Sequence, residues 1–253
     1  MPVILKIGAS RGYKFGPEDL EKAVTPRTRV LIINSPSNPT GVVYTEEELK
    51  GISEILESRD ILVLSDDVYE KFVFEGGRFV NLLSVAPHLK ERVEIINSVS
   101  KTYSMPGWRI GFPLGPEALI GAATKIQGQA TSCPGSISQK AVTFVLGSDH
   151  AVVEGFRASF EKRRDLMLAG MEAIQGLRPL KPMGAFYLFV DVSDFYGRLE
   201  GVSDSVGFCD HLLERFQIAC VPGAAFGEDR CIRFSFATDE TSIREALERL
   251  KGI

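Results

Sequence analysis

The chain has 253 residues, of which 44% are hydrophobic and 25% charged, with a formal net charge of −4. That balance is ordinary for a soluble α/β protein with a large core, and it points away from nucleic acid and from anionic membrane surfaces. No apolar run is long enough to span a bilayer, and Met1 to Ser10 lacks the layout of a signal peptide.

The four cysteines (Cys133, Cys209, Cys220 and Cys231) form no CxxC pair and sit among apolar neighbours. They read as reduced, buried thiols of a cytoplasmic protein. His88, His150 and His211 are scattered and offer no metal-ligand spacing. Lys162-Arg163-Arg164 reads as the solvated face of a helix.

In chain order, Val3 to Ile7 reads as a short strand. Pro17 suits the first turn of a helix carrying Leu20, Ala23 and Val24, stopping before Pro26. Val30 to Ile33 is an apolar, β-branched strand that runs into Asn34-Ser35-Pro36-Ser37-Asn38-Pro39-Thr40-Gly41, a loop of turn formers. Thr45 with Glu48 is a capping box, and Leu49, Ile52 and Leu56 give the next helix its buried face. Ile61 to Leu64 and Val93 to Ile96 are two more strands. Crossovers of helical length between these strands predict a mainly parallel sheet covered on both faces. Pro113 fits poorly inside a sheet and marks an edge.

Farther on, Leu119 to Ile126 and Ile137 to Val145 suit two helices. Ser148 or Asp149 caps a long helix whose apolar positions are Val152, Phe156, Phe160, Met167, Met171 and Ile174. Gly184 to Val190, a helix over Ser205 to Phe216, strands near Ile218 to Val221 and Cys231 to Ser235, and a last helix follow. That last helix shows Ile243, Ala246, Leu247 and Leu250 on one face. Phe186, Tyr187, Phe234 and Phe236 either line a pocket or fill a core, and core is the commoner fate at this spacing.

The polar residues share a location. Asn38, then Asp66 and Tyr69, then Ser98 and Lys101 each lie just beyond the carboxyl end of a predicted strand. In open α/β sheets that edge binds ligands. A lysine there is within reach of a cofactor, and Arg109, eight residues on, suits a phosphate through a forked hydrogen-bond pair. Each residue alone also has a plain structural reading as a cap, a turn former, a core tyrosine or a solvent-facing strand arginine.

Asn38-Pro39-Thr40-Gly41, Asp66-x-x-Tyr69, Ser98-x-x-Lys101 with Arg109, and Arg233-Phe234-Ser235 together resemble the ordered signature of class I aminotransferases, the fold-type-I enzymes dependent on pyridoxal phosphate. The resemblance implies an α/β fold of that type. Residues 1–150 would form a large, mostly parallel PLP-binding domain lacking its N-terminal part. Residues 151–253 would form the long connecting helix and a small α+β C-terminal domain.

It also implies roles. Lys101 would condense with the cofactor aldehyde and move the proton at the substrate Cα. Asp66 would face the protonated pyridine nitrogen, and Tyr69 and Asn38 the phenolic oxygen. Ser98 and Arg109 would hold the phosphate, and Arg233, beside Asn38, the substrate α-carboxylate. A cis Asn38–Pro39 bond is expected from the same likeness. The expected partners are an amino acid and a 2-oxo acid in a homodimer. Similarity of Lys125 to Gln139 and of the C-terminal half to aspartate-type members favours aspartate.

Family members carry a substantial stretch before the point where this sequence starts. It supplies a dimer-embracing arm, a Gly/Ser/Thr phosphate loop and an aromatic that stacks on the cofactor ring. Two other readings therefore stand beside the aminotransferase. One is a non-catalytic fragment or degenerate paralogue with weak or no PLP binding, and the other is a PLP-dependent C–S lyase or related fold-type-I enzyme. A PLP-binding transcriptional regulator is disfavoured, because no helix-turn-helix or basic region is present.

Overall fold

The apolar runs pair into two separate four-stranded sheets in the computed structural model, which describes residues 1–253. Helix α1 (Pro17–Ala23) opens on its proline, and the Asp19 carboxylate accepts the Gly16 N–H at 2.8 Å. Strand β1 (Val30–Asn34) follows. Helix α2 (Glu46–Glu57) starts at the capping box: Thr45 Oγ1 accepts the Glu48 N–H, and Glu48 Oε2 accepts the Thr45 N–H.

Strand β2 (Leu62–Asp66) lies parallel to β1. After the short helix α3 (Leu82–Val85), strand β3 (Val93–Ser98) lies parallel to β2. A single helical turn, α4 (Val99–Thr102), leads to β4 (Gly111–Leu114), which is antiparallel to β3 and forms the sheet's edge. Pro113 is tolerated on this edge strand, where one side of the backbone needs no ladder partner.

Leu49, Ile52 and Leu56 of α2 are almost fully buried against Leu31, Ile33 and Val63. Each such side chain contributes about 1.5–3 kcal/mol by leaving water. Coverage of both sheet faces is not what the fold shows: Val30 and Ile32, on the opposite side of β1, remain 45% and 67% exposed. Val3 to Ile7 is no strand either. That run has no neighbouring ladder to join, and its Val3 and Ile4 are exposed.

Helices α5 (Glu117–Ala130), α6 (Ser136–Leu146) and the 22-residue α7 (Ala151–Glu172) come next. The N-cap of α7 is His150, with no side-chain cap bond, rather than Ser148 or Asp149; Asp149, one residue earlier, accepts the Ala151 N–H at 3.0 Å in a local turn. The inward stripe of α7 begins at Val153 rather than at the exposed Val152, and Ile174 lies past the helix end. Arg164 is 2% exposed, against its expected place on a solvated face. Its guanidinium pairs with Asp165 and, at 3.0 Å, with Glu75, and donates to the Pro182 carbonyl. Ion pairing and a carbonyl acceptor are what permit an arginine there. No helix is long and apolar enough to cross a membrane.

The second sheet is built from β5 (Arg178–Leu180), β6 (Tyr187–Asp191), β7 (Val221–Pro222) and β8 (Cys231–Ser235), all antiparallel in the order β5-β6-β8-β7. With α7, α8 (Ser205–Phe216) and α9 (Glu240–Leu250) it encloses a core of 20 buried residues. Phe234 and Phe236 belong to that core, so the alternation of β8 turns Arg233 to the other face. Cys209, Cys220 and Cys231 are buried or half-buried, but Cys133 is exposed, because α5 and the turn after it pack against little else. The result is an α/β fold with a mostly parallel sheet followed by a small α+β unit.

Candidate active site

The polar residues beyond β1, β2 and β3 meet residues of the second sheet. At the end of β1, Asn34 donates to the Asp66 carbonyl at 3.1 Å and accepts the Asn38 N–H at 2.8 Å. This ties the loop carrying Asn38 to the end of β2. The Asn38–Pro39 bond is cis, as is Ser35–Pro36. Gly41 takes a φ of +68°, and its carbonyl accepts the N–H groups of Met183 and Gly184, which brings the second sheet alongside.

Asp66 ends β2 half-buried, with its carboxylate accepting only the Val68 N–H at 3.3 Å. Burial raises its pKa above the usual carboxylate range. Tyr69 is 3% exposed, and its hydroxyl lies 2.9 Å from that of Tyr187. Burial, followed by that hydrogen bond, pushes its phenol well above the usual range.

Ser98 ends β3 and its hydroxyl accepts the Ser100 N–H, capping a single helical turn. Lys101 is the third residue of that turn. Its amine lies 5.8 Å from the centre of the Tyr69 ring and 5.5 Å from that of Phe186, and makes no hydrogen bond or ion pair. Burial, then the charges of Arg233 and Arg109, lower its pKa. Arg109, at φ +55°, is exposed and donates to the Pro106 carbonyl at 2.8 Å.

Arg233 reaches in from β8. Its Nη1 donates to Asn38 Oδ1 at 2.7 Å, and its guanidinium carbon lies 4.4 Å from the Tyr187 ring centre and 5.1 Å from that of Phe226. Asn38, Tyr69, Lys101 and Arg233 thus converge, with Asp66 close enough for its charge to act on Tyr69. Ser98 and Arg109 flank the lysine but direct their polar groups to their own segment.

The buried Nε of Arg233 has no hydrogen-bond partner, the half-buried Lys101 amine makes no hydrogen bond, and the half-buried Asp66 carboxylate accepts only from Val68. A buried polar group without a partner is rare. A carboxylate, an amine and an open guanidinium edge are groups that can meet a cation, a carbonyl carbon and an anion. Pyridoxal phosphate with an amino acid has that chemistry, so the residues present fit it at the ring and substrate ends. A cavity of about 500 Å³ is lined by Lys101 with Ser104, Phe156, Arg163 and Phe186, and Asn38, Asp66, Tyr69 and Arg233 are not part of its wall.

Phe186, Tyr187 and Phe226 form much of the site's wall. From the sequence the first two were as easily core, and Phe226 carried no signal. The place of Tyr187 beside Arg233 depends on which residues of β6 and β8 stand opposite each other, which a single strand's pattern does not reveal, while Phe226 comes from the turn after β7.

The family profile for aminotransferase class I and II matches residues 4–250. The chain is 41% identical to an aspartate/prephenate aminotransferase of Nitrosomonas europaea, over 100% of this chain and 65% of that protein. It is 42% identical to an aspartate aminotransferase of Rhizobium meliloti, over 98% of this chain and 62% of that one. The crystal structure of an aspartate aminotransferase from Rhizobium meliloti superposes with a TM-score of 0.94 at 42% identity, covering 99% of this chain and 64% of that one. A Thermus thermophilus aspartate aminotransferase with maleate gives 0.90 at 36% identity, covering 99% and 63%. The chain therefore spans somewhat under two thirds of the length of most of these relatives.

Proposed function

The chain belongs to the aminotransferase class I and II family, and on that premise we propose that it moves an amino group between an amino acid and a 2-oxo acid with pyridoxal phosphate as cofactor. The observation that carries this reading is Lys101, an amine that makes no hydrogen bond and lies between the rings of Tyr69 and Phe186.

Lys101 is assigned the attack on the cofactor aldehyde and then the proton at the substrate Cα. An amine held below its ordinary pKa is neutral more often, and only the neutral form is a base or nucleophile. Asp66 is assigned to the pyridine nitrogen: a cation beside it would relieve the cost of burying its charge. Tyr69 and Asn38 would hold the phenolic oxygen, Ser98 and Arg109 the phosphate. Bound pyridoxal phosphate supplies the electron sink that makes the Cα proton removable. Arg233 is assigned the α-carboxylate, because its Nε has no partner within the chain and a guanidinium fork suits a carboxylate. The aspartate-type names of the relatives support a dicarboxylic donor. A homodimer working in the cytoplasm completes the proposal.

The test is to add pyridoxal phosphate, reduce with borohydride and map the labelled peptide. Labelling at Lys101, lost in Lys101→Ala, with transfer from aspartate to 2-oxoglutarate, is the expected result. Label on another lysine, or none, would overturn it. Arg109, exposed and engaged with Pro106, favours one second reading, a protein that binds the cofactor weakly without turnover. Trapping at Lys101 with no transfer to any 2-oxo acid would select it.

A further inference from the structure

Tyr187 opens β6 and is 6% exposed. In the antiparallel ladder Phe189 stands opposite Arg233, and Tyr187 opposite Ser235. Side chains two apart on a strand share a face, so Tyr187 and Arg233 are diagonal neighbours on one face. This is why the guanidinium carbon lies only 4.4 Å from the Tyr187 ring centre. The hydroxyl of Tyr187 reaches a different target, the buried hydroxyl of Tyr69 at 2.9 Å. A single side chain touches the residue assigned to the substrate carboxylate and the residue assigned to the cofactor oxygen.

Resting on the aminotransferase reading, we propose that Tyr187 is a positioning residue with two separable roles: its ring sets the plane of the Arg233 guanidinium, and its hydroxyl sets the Tyr69 phenol. Within the chain, the Arg233 guanidinium is anchored by one hydrogen bond, from Nη1 to the exposed Asn38. A fork held at one nitrogen is free to swing about that bond. The aromatic faces of Tyr187 and Phe226 remove that freedom while leaving the N–H edges open to a carboxylate. Orientation fixed before binding is entropy that the substrate does not have to supply.

The hydroxyl acts on the other half of the site. A buried phenol requires a partner, and Tyr187 is the one that Tyr69 has. The Tyr69 ring that stands beside the Lys101 amine is thereby located from the second sheet. Tyr187 also packs in a small cluster with Tyr69, Phe72 and Ala185. A purely packing role predicts that changes at this position harm both functions together or neither.

Two substitutions separate the roles: Tyr187→Phe keeps the ring and removes the hydroxyl, while Tyr187→Leu removes the ring. The first measurement needs no cofactor. Phenylglyoxal, an arginine-selective dicarbonyl, is allowed to react, and modification of the Arg233 peptide is timed by mass spectrometry. Tyr187→Phe should stay within about twofold of the parent, and Tyr187→Leu should react about five- to tenfold faster. In the protein loaded with pyridoxal phosphate, Tyr187→Phe should move the pH midpoint of the cofactor's absorbance and leave the amino-acid KM within about twofold. Tyr187→Leu should raise KM about tenfold with a smaller change in kcat. Equal effects of both substitutions on Arg233 reactivity and KM, or no effect of either, would overturn the proposal. Failure of the aminotransferase reading looks different: the parent takes up no cofactor, and the phenylglyoxal contrast alone then decides whether Tyr187 orients Arg233.

Discussion

Arg233 and Asn38, 195 positions apart in the chain, are joined by a 2.7 Å hydrogen bond from guanidinium to side-chain carbonyl. The bond links the second sheet to the loop beyond β1, and both of its members are assigned to ligand. Because the pair is solvent-exposed, its net worth to folding is small. Asn38→Ala should therefore change unfolding free energy by less than about 1 kcal/mol while raising the amino-acid KM about three- to tenfold. Urea unfolding beside steady-state kinetics checks both. A large stability loss with unchanged KM would make the bond a structural strut.

Gly41 closes the Asn38 loop at a φ of +68°, and a Cβ there would lie 2.3 Å from Pro182 Cβ and 2.8 Å from the Gly184 carbonyl oxygen. Left-handed backbone strain and overpacking then add, for about 2–5 kcal/mol in Gly41→Ala. The same backbone accepts two N–H groups from the segment between β5 and β6. The substitution should thus lower the denaturation midpoint and weaken cofactor trapping at Lys101 together.

Arg164 joins α7 to the first half of the chain through Glu75, which Lys181 also contacts, and to the segment between β5 and β6 through the Pro182 carbonyl. Arg164→Met keeps most of the volume but leaves that carbonyl without its donor and Glu75 with a single cation. A loss of about 2–4 kcal/mol in chemical denaturation is expected. Arg163→Met, next along the helix with no ion pair of its own, should cost less than about 1 kcal/mol.

How legible the molecule was in its sequence depended on whether a feature is local. The Thr45–Glu48 capping box, the helix at Ser205–Phe216 and the strand at Cys231–Ser235 are written in adjacent residues, and they stand where the pattern put them. Val3 to Ile7 shows the limit, since an extended apolar run becomes a strand only when another strand is beside it. Arg164 shows another: its burial depends on Glu75 and Pro182, which no helical periodicity contains. At the site, the motif residues were readable only together, through the order in which they resemble the class I aminotransferase signature, since each alone had a plain structural reading. Tyr187 was not, since an aromatic beneath an arginine looks like any core aromatic until the register of β6 against β8 is known, and Phe226 sits in a turn with no periodicity to read.

Asp67, next to Asp66, is 2% exposed and accepts from the Ser65 hydroxyl and the Asn81 amide. Burial outweighs those two bonds and pushes its pKa up to about 6 from the usual 3.8. A carboxyl whose folded value is raised stabilises the native state most when protonated. Its contribution is complete below about pH 4 and is lost as the pH climbs through about 6. Asp67→Asn removes the titration, so its stability relative to the parent should improve by about 2–3 kcal/mol between pH 4 and pH 7. Thermal or urea unfolding across that range checks it, and a difference that does not vary with pH would place the Asp67 pKa at its ordinary value.

Lys101 offers a pH test of the site's geometry. Its pKa is lowered first by burial and next by the positive charges of Arg233 and Arg109. Removing one of those charges leaves the burial in place, so Arg233→Leu should raise the midpoint only part of the way back. The reactive form is the neutral amine, and its appearance should move to higher pH in the variant. The readout is the rate of reductive trapping of pyridoxal phosphate on the Lys101 peptide, measured from pH 6 to 10 in both proteins, with another exposed lysine such as Lys22 as reference. An upward shift confined to Lys101 is expected. A profile unchanged by Arg233→Leu would mean that the guanidinium and the amine do not sense each other, and that the two are not parts of one site.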